Sequence, residues 1–265
     1  MVRSRHVHHK RLAVVGGAGV LTLGLVTTCA GCFGGPPSEA VSTDALRAAG
    51  PGAGASAEDA HGLAVASGDV ATVAQDPDAA ARFAALQTRY LEAAAGDAEA
   101  LEEVQDGLAA LRRDHPADAR LAAWMGSSLL LGARDAFLPT TKLALASQGV
   151  PLLDEAVRAA PGDPQVRWLR GVSTINLPRI GAGATTAEQG EADLRWVYEH
   201  ADAAVAQSMI TPGQAASTAY HHGRMLERAE DSDAARAAYG RAVELGPGSR
   251  SATLAAQRLA ELGDS

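Results

Sequence analysis

From Asp76 onward the apolar positions recur at helical spacing. Four sets show it: Phe83, Leu86 and Tyr90; Leu121, Trp124 and Met125 with Ser128; Val166, Leu169 and Val172; Leu194, Val197 and Tyr198. Residues three or four apart share one face of a helix, so each set predicts an amphipathic helix with one stripe turned inward. Start and stop signals separate the sets at intervals of roughly 15–20 residues. Asp76-Pro77 and Asp163-Pro164 each place a cap residue ahead of a proline in the first turn. Thr211-Pro212-Gly213-Gln214 adds a glutamine three residues after the cap, and Thr185 with Glu188 repeats that capping-box spacing. Gly96, Gly162, Gly246 and Gly248 fall at or just past the expected helix ends.

Composition strengthens this reading. Apolar residues make up 47% of the 265-residue chain but aromatics only 4%, so alanine carries much of the apolar content. Alanine is the best helix former and allows close helix packing. The β-branched and aromatic runs that strands use are scarce. The expected fold class is all-α, and the length allows one or two domains.

Within the helical pattern there is repetition. Gly223, Ala235, Tyr239, Ala242 and Pro247 are spaced 12, 4, 3 and 5 residues apart. This spacing resembles the tetratricopeptide repeat (TPR), a pair of antiparallel helices, with Leu226 and Ala219 standing where that family often has an aromatic and a tryptophan. In such a pair Gly223 lets the two helices approach, Ala235 and Ala242 line the contact, and Tyr239 fills the gap between neighbours. Pro116 to Gly126 matches Pro161 to Gly171 in proline, aspartate and glycine, at an offset of 45 residues, longer than the ~34 of the standard repeat. The extra length is expected as insertions at 132–149 and 177–189, emerging on one edge of the stack. Asp97 to His115 is expected as a second helix, and 249–262 as a closing helix. The resemblance covers about 97–262 and implies a helix-pair solenoid.

The N-terminus reads as an address. Arg3 to Arg11 is basic, Leu12 to Val26 is apolar, and Thr27 to Cys32 is small and polar. That layout is a secretory signal peptide, and 15 apolar residues are short of the ~20 a spanning helix needs. Cys29-Ala30-Gly31-Cys32 resembles a bacterial lipobox. The resemblance implies cleavage after residue 31 and lipid attachment at Cys32, although Cys29 stands where leucine is usual. An uncleaved signal anchor is the alternative. Residues 32–56 are rich in Gly, Ala, Ser and Pro, a composition too poor in apolar surface to order itself, and read as a tether. The organisation is therefore 1–31 leader, 32–56 lipidated cysteine and linker, and 57–265 helical domain.

Charge narrows the partners. Arg3, Arg5, Lys10 and Arg11 are the basic residues of the leader, and 23 less these four leaves 19 against 31 acidic residues, a net charge of −12 for the remainder. Lys142 is its one lysine. A body this acidic is not built for nucleic acid. Both cysteines precede residue 33, which excludes a disulfide, a thiolate metal site or a cysteine nucleophile in the body. No Gly-x-Ser-x-Gly, His-Glu-x-x-His or phosphate-loop motif occurs, and no cofactor or metal is expected.

The best binding candidates lie in or near the two expected insertions. Arg134, Lys142, Arg167, Arg170 and Arg179 form a local basic set able to hold a carboxylate or phosphate. Pairing with Asp135, Asp154 and Glu155 is the plainer role. Trp168 lies off the Val166–Leu169–Val172 stripe and is the tryptophan best placed to line a groove. Gly126, Gly171, Gly223, Ala235, Tyr239, Ala242 and Pro247 are expected as structural repeat positions. The expectation is a membrane-anchored interaction module of the cell envelope, not an enzyme, holding a peptide or protein in its groove. The alternatives are a solute-binding lipoprotein of a transport system and an envelope hydrolase.

Overall fold

A computed structural model describes residues 72–177 and 182–263. The leader, Cys32, the linker and Arg179 lie outside the described residues. A short 3-10 turn at Val73–Gln75 precedes ten α-helices. These are α1 (Pro77–Ala94), α2 (Ala98–Asp114), α3 (Ala119–Asp135), α4 (Pro139–Ala159) and α5 (Pro164–Thr174). There follow α6 (Ala182–Glu199), α7 (Ala201–Ala206), α8 (Pro212–Arg228), α9 (Ser232–Leu245) and α10 (Arg250–Gly263). Among the described residues there is no strand, and no helix is long and apolar enough to cross a membrane.

The helices associate as chain-neighbouring pairs: α1 with α2, α3 with α4, α5 with α6, α8 with α9, with α10 closing against α8 and α9. Successive pairs touch through α2–α3, α3–α5, α4–α5 and α6–α8. Small residues set how near the partners come. A Cβ on Gly126 would lie 2.7 Å from the Gly149 carbonyl oxygen, and one on Gly149 would lie 2.8 Å from that of Gly126. The α3 and α4 backbones therefore meet directly. A Cβ on Gly171 would meet the Leu194 side chain at 2.5 Å, and one on Gly223 the Tyr239 ring at 2.6 Å. Ala235, Tyr239 and Ala242 are fully buried in the α8–α9–α10 contact. Pro247 follows the end of α9 at Gly246. Further along, Trp124 receives Phe83 and Tyr90 edge-on, at centroid distances of 6.2 and 5.0 Å, pairs that add ~0.5–1.5 kcal/mol each beyond their buried area.

The start signals act through their side chains. Asp76, Asp97, Asp118 and Asp163 each accept backbone N–H bonds in the first turn of α1, α2, α3 and α5. Thr211 and Gln214 form the reciprocal capping box of α8. Gly96, just past the end of α1, and Gly248, in the turn between α9 and α10, take positive φ of +109° and +83°.

Two expectations are corrected. The extra length expected as insertions between helices, at 132–149 and 177–189, lies mostly within them: only residues 136–138 separate α3 from α4, and α6 already begins at Ala182. Leu138-Pro139 reads as a helix start, because proline fits the first turn, and the Lys, Leu and Ala content beyond it favours helix. The extra length is extra helical turns. Thr185 and Glu188 consequently lie inside α6 rather than at its cap.

Candidate functional site

The structure joins the expected basic residues into two sets, each bound to its own neighbours. Arg134 binds Asp135 through both carboxylate oxygens (2.6 and 2.7 Å) and donates to the Ala94 carbonyl, while Lys142 donates to the Arg134 carbonyl at 3.0 Å. The second set links α4, α5 and α6. Arg167 Nη1 donates to Asp193 at 2.7 Å, and the Arg167 Cζ lies 4.7 Å from the centroid of the Trp196 ring. Arg170 donates to Asp193 at 2.5 Å and to Asp154 at 3.0 Å. Burial alone would lower the Arg170 pKa, but the hydrogen bonds and charges of Asp193 and Asp154 raise it above its ordinary value. Because the Asp193 side chain is 1% exposed, these guanidiniums neutralise a buried carboxylate, and this set is a structural joint.

Trp168 is a correction. It is 1% exposed, in the core rather than on a groove. α5 packs against α3, α4, α6 and α8 at once, so a helix expected to have one inward stripe is enclosed on several faces.

An opening lies elsewhere. A cavity of about 320 Å³ sits where α1, α5 and the start of α8 come together. Gln87 and Thr88 of α1, Gln165 of α5, and Thr211 and Gln214 of α8 supply its polar wall. Ala84 and the α7–α8 connection, Ser208 to Ile210, complete it. Ser208 holds a left-handed φ of +57°, which turns the chain so that Ile210 tucks into the core while Ser208 stays exposed. Gln214 is fully buried. Its Oε1 accepts from the Thr211 N–H at 2.8 Å, and its Nε2 has no hydrogen-bond partner among the described residues.

A second cleft, of about 370 Å³, is lined by Arg224, Glu227, Arg228 and Arg258. Its charges face one another. Arg258 pairs with Glu227 and Glu261, Arg228 binds Glu191 at 2.7 Å, and Glu227 also accepts from the Tyr239 hydroxyl at 2.7 Å. Burial works against the Glu227 carboxylate, but the bonds from Tyr239 and Arg258 hold its pKa below the usual range.

Comparison with family models, with curated proteins and with solved structures finds no match to this chain. The geometry therefore carries the functional argument by itself. None of the residues of the first cavity was a binding candidate in the sequence, where Thr211 showed only as a helix cap. Gln214 was visible only as a capping residue, and nothing local marks Gln87 or Gln165 as its neighbours.

Proposed function

We propose that this chain is a membrane-anchored interaction module of the bacterial cell envelope, a TPR-like stack that holds a peptide or protein partner against its first helices. The supporting observation is the shared cavity, to which the first helices of three different pairs (α1, α5 and α8) contribute. Helical repeats characteristically bind along a surface assembled from successive repeats. Close Gly126–Gly149 and Gly223–Tyr239 contacts are the kind of packing a TPR-like pair needs. The basic leader and the Cys32 context support export and lipid anchoring. The lining side chains are amides, hydroxyls and apolar groups, with no carboxylate or imidazole beside a hydroxyl, and this favours binding over hydrolysis.

A second reading draws on the cavity's size. About 320 Å³ is at the lower end of the ~300–1,000 Å³ of small-ligand pockets, which would suit a solute-binding lipoprotein. Site-specific photocrosslinking in intact cells separates the two. A crosslinker at Thr88, on the exposed rim, is expected to capture a discrete protein adduct that the same probe at exposed Arg113 on α2 does not. Identical adducts from both positions, or none, overturn the docking reading. Fatty-acid labelling of the wild type against Cys32→Ser tests the anchor, which fails if the label persists.

A further inference from the structure

The large apolar side chains left exposed among the described residues are gathered at one place. Phe137 is 94% exposed, Leu143 72% and Leu138 55%, and all three fall within the seven residues 137–143, where α3 gives way to α4. Single exposed apolar residues are ordinary, but a set of this kind marks a contact surface. Pro139, Thr140 and Thr141 between them are exposed as well, so the connection and the first turn of α4 form a tip. Neither cleft described above is lined by these residues. A tip without a cleft gives a peptide or a folded partner little to close around.

Charge identifies the partner. Between Leu121 and Leu153 the charged residues are Arg134, Asp135 and Lys142, two basic less one acidic, a net of +1 against −12 for the whole chain beyond the leader. Lys142, the one lysine of that remainder, donates to the Arg134 carbonyl at 3.0 Å, and Arg134 in turn binds Asp135 and the Ala94 carbonyl. These bonds hold both cations beside the apolar tip. At the adjoining α1–α2 turn the acids Glu92, Asp97 and Glu103 are gathered on Arg89. An apolar tip flanked by cations, on an otherwise acidic domain, suits a phospholipid surface. The apolar groups enter the interface, the cations reach lipid phosphates, and the acidic remainder is kept turned away. A second copy of the chain suits the tip less, because three side chains bury far less than the ~1,200 Å² or more of a stable protein interface.

We infer that the tip at Phe137–Leu143 inserts into the interface of a phospholipid bilayer and fixes how the domain stands on the membrane. This rests on the proposed lipid anchoring and adds a second contact to it. The tether expected at 32–56 spans about 25–30 Å as a flexible chain, against ~32 Å for the length of the 21-residue helix α4. An anchored domain therefore has the tip within reach of the bilayer, and the tether raises its effective concentration there, so a contact of three side chains suffices. Among the described residues no helix is long and apolar enough to cross a membrane, and the contact is superficial.

Lipid-dependent fluorescence of the full-length chain tests this. A chain carrying Cys29→Ser and Cys32→Ser takes a polarity-sensitive fluorophore on Thr140→Cys or, as the control, on Arg113→Cys of α2, both exposed positions. The apolar leader Leu12–Val26 is kept and stands in for the acyl anchor. The vesicles contain phosphatidylcholine and phosphatidylglycerol in equal parts, with or without a nitroxide-bearing lipid. The probe at Thr140 is expected to shift to the blue and to be quenched by the nitroxide, and the probe at Arg113 to do neither. Phe137→Ser with Leu143→Ser replaces side chains that are already mostly exposed, so the circular dichroism should hold while quenching at Thr140 needs at least about tenfold more lipid. No quenching at Thr140, equal quenching at both positions, or a response that the serine pair leaves unchanged overturns the inference. So does a blue shift that grows with protein concentration in the absence of lipid, which would make the occupant a second copy. A Cys32-dependent fatty-acid label, or a partner captured at Thr88, alongside any of these failures leaves the anchored docking function standing and removes only the tip contact.

Discussion

Gly126→Ala probes how the stack is held together. The added methyl would lie 2.7 Å from the Gly149 carbonyl oxygen, 2.9 Å from Leu153 Cγ and 3.2 Å from Leu152 Cβ. The nearest obstacle is main chain in the middle of a 21-residue helix, which cannot swing aside as a side-chain tip can. Relief requires α3 and α4 to separate by several tenths of an ångström along their whole contact, loosening Leu129, Leu130 and Leu153. Overpacking of this kind costs ~1–3 kcal/mol. Alanine regains ~1 kcal/mol of helix propensity over glycine, so with the obstacle in the backbone the net loss should be about 1–2 kcal/mol. Gly240→Ala is the internal control. It lies in α9 with nothing within 4 Å of an added Cβ, so only the propensity term acts and the protein should gain ~0.5–1 kcal/mol. Urea unfolding followed by circular dichroism at 222 nm reads both, with the two variants moving the midpoint in opposite directions. A Gly126→Ala variant as stable as Gly240→Ala would refute the claim that backbone contact sets the α3–α4 spacing.

Other outcomes follow from the same structure. Arg170→Ala strips Asp193 of one of its two guanidiniums and Asp154 of its partner, and should cost ~3 kcal/mol in urea unfolding; an unchanged midpoint would show that the joint carries no stability. Asp163→Ala removes the α5 cap and the 2.7 Å bond from Arg120, for a loss of ~2 kcal/mol. Asp163→Asn should cost less, and equal losses would refute the cap as the larger part. Buried His221 has its pKa lowered to about 4 by burial and then by Arg224 and Arg228. Between the ordinary value near 6.5 and about 4 the unfolded chain takes up a proton that the folded chain excludes, so stability falls as pH drops through this window, by up to about 3 kcal/mol. His221→Phe should flatten that part of the profile, and an identical slope in the variant would contradict a buried neutral imidazole.

Element boundaries were legible in the sequence where a side chain enforces them. Asp76-Pro77, Asp163-Pro164 and Thr211 with Gln214 open α1, α5 and α8 as expected, and the helices at 98–114 and 250–263 match those expected at 97–115 and 249–262. The expectation failed where extra length was expected as insertions, at 132–149 and 177–189, most of which is helix, and where a capping-box spacing falls inside a helix, at Thr185. Site chemistry was less legible because it is made by packing. The plainer expectation of pairing holds for Arg134 with Asp135 and Arg170 with Asp154, but the buried Asp193 that joins Arg167 to Arg170 comes from another helix, 26 and 23 residues on, and was not foreseen. Trp168 leaves its amphipathic stripe only if α5 has one inward face, and packing on several sides removes that premise. The cavity residues lie on three helices separated by up to 130 positions, so no local pattern gathers them.

The caps connect these levels. In Asp118, Oδ1 closes the first turn of α3 while Oδ2 accepts from the Val73 N–H at 2.8 Å. In Asp163, Oδ1 closes α5 while Oδ2 accepts from Arg120 on α3. One carboxylate thus starts a helix and also fastens it to the structure before it, which couples neighbouring helix pairs. The same start signals deliver the site. Asp163-Pro164 is followed at once by Gln165, and the Thr211 box ends on Gln214, so two of the cavity's three carboxamides stand in the first turns that those caps hold in place. The stability of the helix starts and the shape of the cavity are for that reason one property. A change that frays the start of α5 or α8 should blunt binding in proportion, even where it leaves every cavity residue intact.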